Sequence, residues 1–235
     1  MLQALLEAAF ALVALGVALS MRPWRLLVDR TLPGRYATPQ DVPRIASPLW
    51  TPLLATLVIL PWLWAMPTLH KMPLQLQWSG ACLVVLTLGW PLAMPTLALV
   101  GVIACLLSPG LAGHEALRLI VWHGMLPATL GMLWGVLLRQ WLGTKVFVYL
   151  FGRCFMGTVF SLFAASVLAS ATGQPLPGVN EDLSHIAHWL MAWGDAVVTG
   201  MICSVCVAYR PDWLATWSDR LYLYEQVAEK HDSST

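Results

Sequence analysis

The run HIAHWLMAWGDAVVTGMICSVC, residues 185–206, places two histidines, an aspartate and two cysteines in a segment apolar enough to be a membrane helix. His185 and His188 are three apart, which puts both rings on one helical face. Asp195 lies seven positions after His188, two turns along that face. Three further histidines, His70, His114 and His123, fall near the same end of their own apolar segments, with Met66, Met72, Met125 and Met191 at similar depth. Imidazole and thioether suit transition metals, whereas calcium and magnesium want oxygen. His188, His185, His123, Asp195 and His70 are therefore the expected metal-ligating set. The competing reading is that amphipathic rings gather at membrane interfaces and hydrogen-bond to neighbours or headgroups.

Asp195 is the costliest of these groups, at about 3 kcal/mol near mid-membrane on insertion scales. By default such a residue faces the bundle interior or an aqueous cavity. It is expected either to neutralise a cation or to form a structural ion pair, with Arg153 the candidate partner. Glu7 is close enough to its span's outer end to reach the interface. Cys203 and Cys206 share a helix face, but a zinc site wants four ligands and a redox pair wants an exposed helix N-terminus. Apolar packing is the first reading for them and a soft-metal exit site the second. Gly194 and Gly200, with Ala196 between them, suggest close helix approach, and Gly152 and Gly157 could present the matching surface.

Seven apolar segments must carry these side chains: residues 2–20, 49–66, 74–90, 93–107, 117–138, 146–171 and 183–209. A span needs about 20 apolar residues, fewer where the bilayer adapts. The third and fourth are short and meet at Trp90-Pro91, as a tight hairpin or one broken, re-entrant unit. Of the 235 residues, 58% are hydrophobic and 11% charged, with 13 tryptophans and a mean hydropathy of +0.70. The expected class is an all-α, polytopic membrane protein. Residues 1–209 form the membrane domain, and residues 210–235 form a cytoplasmic interfacial helix and tail.

Arg22, Arg25, Arg30, Arg35 and Arg44 crowd the longest connection, Arg139 and Lys145 another, and Arg210 and Arg220 follow the last span. The positive-inside rule makes these cytoplasmic, with the N-terminus outside. Lys71 alone disagrees, and the first segment, without a basic leader or small-residue cleavage site, reads as a retained helix. A net charge of +1, with no basic or aromatic groove, excludes nucleic-acid binding. The cysteines all lie in apolar segments and make no disulfide framework. There is no H-E-x-x-H, no G-x-S-x-G and no phosphate loop, so no enzyme and no self-contained ATP-driven pump is expected.

The run H188-W-L-M-A-W-G-D195-A-V-V-T-G200, followed by Y209-R-P-D-W213, resembles the last helix of the CbiM-like permeases. These are the substrate-binding membrane subunits of cobalt and nickel energy-coupling-factor transporters. W78-S-G-A-C-L-V-V-L-T-L-G-W90-P is similar to that family's G-A segment and short hairpin. F147-V-Y-L-F-G-R-C-F-M-G157-T-V-F-S161 is similar to a bacterial branch of it. Together the three runs cover most of residues 74–213. The resemblance implies a multi-pass permease of the bacterial inner membrane that works with a transmembrane coupling subunit and an ATPase. The family's metal is held by an N-terminal Met-His and by a histidine before the G-A segment. Here those places hold Leu2 and Gln77, so the ligand set for cobalt or nickel does not carry over.

The expected function is uptake of a transition-metal ion or other small solute, the ion being substrate and no cofactor being covalently bound. The outer histidines, His188 foremost, would gather the ion, and Asp195 would neutralise it at mid-depth. The alternative is a non-transporting assembly or chaperone factor that keeps the scaffold.

Overall fold

A computed structural model of the chain describes residues 2–28, 47–69, 78–108, 110, 113–143, 145–173 and 181–217. All regular structure among these is helical. Six helices are long and apolar enough to cross a membrane, so the chain is read as a multi-pass membrane protein. Helices suit that setting because they satisfy every backbone group internally. Leu12, Leu106, Trp141 and Phe147 are among the side chains on the exposed outer surface.

Helix α1 (Leu2–Ser20) leads to the single turn α2 (Arg25–Val28), and α3 is Trp50–Leu69. A short helix α4 (Ala81–Leu88) is followed by α5 (Trp90–Leu107). Helix α6 (Gly113–Leu119) runs through a π-helical turn, Ile120–Met125, into α7 (Leu126–Leu142). A second π-helical stretch, Val148–Met156, leads into α8 (Gly157–Ala171), and α9 is Glu181–Tyr209.

Of the expected third span, 74–90, the helical part among the described residues is α4, whose eight residues rise only about 12 Å, less than half the hydrocarbon core. Glycine punctuates both ends. Gly80 has φ 64° and Gly89 φ 76°, conformations that L side chains rarely adopt. Pro91 then starts α5, where its missing N–H costs nothing. All of α4 except Leu83 is buried, because α3, α5, the first π turn, α7 and α9 surround it.

A buried short helix leaves unpaired amides at one end and unpaired carbonyls at the other. The carbonyls are met from beyond α9. Ala215 N donates to Thr87 O at 2.9 Å, and Thr216 N to Leu86 O at 3.3 Å. Thr216 Oγ1 also donates to Leu86 O at 2.9 Å and shares a 2.8 Å hydrogen bond with Tyr149 OH. Leu214 and Trp217 are buried. Of the expected interfacial helix and tail, residues 211–217 make one 3₁₀ turn, Pro211–Trp213, and fold against the bundle. The rest of the expected tail, residues 218–235, lies outside the described residues.

Both π-helical stretches have local causes. Pro127 cannot donate to the carbonyl of His123, four residues earlier, and that carbonyl instead accepts the Ser79 hydroxyl. In the second stretch Trp134 Nε1 donates to Gly152 O at 3.1 Å, a side chain inserted into the helical ladder. At the other pole of the bundle Gln3 Nε2 donates to Thr172 O at 3.1 Å, which sets the start of α1 beside the end of α8.

Candidate functional site

Asp195 sits in the middle of α9 and is 6% exposed. Its Oδ2 accepts the Ser79 N–H at 3.0 Å, and the Gly80 amide faces the same carboxylate. Ser79 itself is held from three directions. Its carbonyl accepts Trp64 Nε1 at 3.0 Å, its hydroxyl donates to His123 O, and its Oγ accepts the Ala81 amide at 3.3 Å. The carboxylate therefore lies at the N-terminus of α4, where free amides and the helix dipole favour negative charge. α3, α4, α9 and the first π turn meet at this one serine.

The expected Arg153–Asp195 ion pair is corrected by the same contacts. Arg153 turns toward α7, where a Cβ added at Gly135 would stand 2.5 Å from its Nε. Its Nη2 lies 3.9 Å from Met132 Sδ, and its guanidinium carbon lies 5.8 Å from the Tyr149 ring centre. Its Nε is buried without a hydrogen-bond partner.

The histidines divide into two sets. His123 and His188 lie within electrostatic range of each other, and His185 within range of His188. The Nδ1 of His123 is buried without a partner, while that of His188 is 3.4 Å from Ser184 Oγ. His114 is exposed on α6. His70, with Met72 and Gln77, lies outside the described residues. Among the described residues no group of three or more His, Cys, Asp or Glu side chains is placed to hold a metal ion. The structure therefore places His123 and His188 within electrostatic range and holds Asp195 against α4, without a closed multidentate cage among the described residues.

Below Asp195 the same face of α9 carries Thr199 and Cys203, four and eight residues on. Both are fully buried, and Thr199 Oγ1 has no partner. Across from them Cys154 on the second π-helical stretch, which packs on α9, lies within interaction range of Cys203, as does Arg153. Cys82 on α4 lies within range of both Asp195 and Cys203. A file of polar side chains thus descends from the α4 N-terminus toward Tyr149 and Thr216. The i, i+4, i+8 spacing on α9 signals it in the sequence; the contribution of Cys82 and Cys154 from other helices leaves no such signal.

Glu7 is buried and accepts Trp122 Nε1 at 2.9 Å, so it braces α1 against the first π turn. The glycine expectation divides. Ala196 is fully buried and Gly200 packs on Phe155 of the second π-helical stretch, as a close approach requires. Gly194 is exposed with no atom within 4 Å of an added Cβ, and Gly152 and Gly157 abut Leu138 and Trp134 of α7 rather than α9. A groove of about 290 Å³ between α3, α4 and α9, lined by Leu60, Trp78, Val84, Cys206 and Trp213 among others, is too apolar to conduct an ion. No protein-family model, curated protein or solved structure matches the chain.

Proposed function

We propose that this protein is a permease subunit of a bacterial inner membrane that takes up a small cation, a transition-metal ion in the first instance. The observation that carries the reading is the buried N-terminus of the short helix α4, where the Ser79 amide is seated on the buried carboxylate of Asp195. Discontinuous helices and intramembrane carboxylates mark solute sites in transport proteins, because a break exposes backbone groups that only an internal site can satisfy.

His123 and His188 lie on the approach side of Asp195 and receive the ion, and the file through Thr199 and Cys203 carries it onward. Ion entry loosens the hold of Asp195 on the Ser79 amide, which couples occupancy to the position of α4. From Asp195, α4 runs alongside α9 and ends beside Ala215, just past the end of α9. In this reading α4 belongs to the third of the seven expected spans. Arg22, Arg25, Arg139, Lys145 and Arg210 lie at the Thr216 end of the bundle, which is taken as cytoplasmic with the N-terminus outside. An ATPase and a coupling subunit, implied by the resemblance to CbiM-like permeases, supply the energy at that face.

The test is a titration of chelator-stripped protein in detergent with cobalt, nickel, copper(I) and zinc in turn, alongside uptake into proteoliposomes. Saturable binding by the wild type, weakened in His188→Ala or Asp195→Asn, is the expected result. Absence of binding for all four ions overturns the metal permease.

A further inference from the structure

We infer that Cys154 and Cys203 form a two-coordinate site for a soft monovalent metal ion, copper(I) by its chemistry, in the interior of the bundle. The inference deepens the permease reading, on which it rests for the ion's route to the site.

The two thiols come from different elements, the second π-helical stretch and α9, which pack directly on each other with Gly200 against Phe155, and they lie within interaction range. Both residues are fully buried, and both thiols are free. Such a pair could be packing alone, since free cysteine behaves as a small apolar residue. Three neighbouring features go beyond packing. Thr199, one turn before Cys203, buries a hydroxyl oxygen with no hydrogen-bond partner, an expensive arrangement in an apolar interior. Cys154 lies inside a π-helical stretch, a distortion found frequently at functional sites. Arg153, beside it in sequence and within electrostatic range of Cys203, has Met132 and the Tyr149 ring as its contacts, with no carboxylate among them.

Charge connects these features. Copper(I) binding replaces two thiol protons, so one Cu⁺ and two R–SH give a bis-thiolate complex of charge −1 and two released protons. No electron is transferred. The complex supplies the anion that Arg153 lacks, and the guanidinium offsets a negative charge that the apolar interior would otherwise penalise. Ligand number sets the selectivity. Thiolate ligands favour copper(I) among biological metals, and two sulfurs do not complete the four-coordinate shell that a structural zinc ion takes. The ion would reach the pair from Asp195 past Thr199, along one face of α9.

The experiment titrates full-length, chelator-stripped protein in detergent with copper(I), kept reduced and buffered by a chromogenic copper(I) chelator. Wild type should withdraw one copper(I) per chain. Cys154→Ser and Cys203→Ser should each weaken binding by about 100-fold or more, and Cys105→Ser on α5 should leave it unchanged. X-ray absorption of the copper-loaded wild type should show two sulfur neighbours, a readout that survives if either serine variant fails to fold. Wild type that withdraws no copper, serine variants that bind as tightly as wild type, or a copper shell without sulfur would each overturn the inference. If a cation still binds in a His188- and Asp195-dependent way while copper(I) ignores the cysteines, the permease reading stands and this inference falls. Cysteine-dependent copper binding without uptake into proteoliposomes gives the reverse.

Discussion

Asp195 holds two roles that different substitutions separate. As an acceptor it satisfies the Ser79 amide, and a buried hydrogen bond to a charged group is worth about 2 kcal/mol. Asp195→Ala should therefore lower stability by about that amount in thermal unfolding in detergent, whereas Asp195→Asn keeps an acceptor and should cost less than about 1 kcal/mol. If the carboxylate also binds a cation, Asn should lose that binding while staying folded. A variant as stable as wild type that still binds the ion would confine Asp195 to the fold. The aspartate was legible in the sequence because charge in an apolar run is expensive. Its partner was not: Ser79 is 116 residues away, and a serine in an apolar segment costs too little to stand out. Arg153 looked like the natural partner on charge alone, yet the small Gly135 opposite draws it toward α7.

At the scale of elements, α4 depends on segments distant in sequence for both its ends. Thr216→Ala removes the hydroxyl that bonds Leu86 O and Tyr149 OH and should destabilise by about 1–2 kcal/mol. Truncation after Tyr209 removes all of the C-terminal capping and should leave no monodisperse protein by size-exclusion chromatography, whereas truncation after Trp217 retains it. Uptake lost on the shorter truncation would therefore report misfolding as readily as uncoupling. The glycines separate the same way. An added Cβ at Gly101 would clash with Ile120 Cγ1, so Gly101→Ala should cost about 1–3 kcal/mol by forcing α5 from the first π turn. Gly194 meets nothing within 4 Å, and Gly194→Ala should gain up to about 1 kcal/mol of helix propensity. Thermal unfolding of the pair decides between them.

For the whole molecule, the distribution of positive charge argues that the Thr216 end faces the cytoplasm. A fluorescent protein fused at the C-terminus should then fluoresce, and alkaline phosphatase fused there should be inactive. Fusions at Gly110, between α5 and α6, should give the opposite result; the same result at both places would overturn the layout. Hydropathy and composition alone determined the helical class and the apolar segments that became the six long helices, because hydrocarbon forces a chain to satisfy its own backbone and the length of an apolar run records that demand. Sequence also singled out Asp195, His123 and His188 as residues too costly or too reactive to be indifferent. Only the tertiary structure decided that α4 is a buried half-helix held from Asp195 at one end and Thr216 at the other, and that Cys154 and Cys203 are both buried where the second π-helical stretch packs on α9. Those pairings come from elements that pack side by side while lying far apart in the chain, and helical periodicity specifies which face a residue occupies but not which helix will cover it.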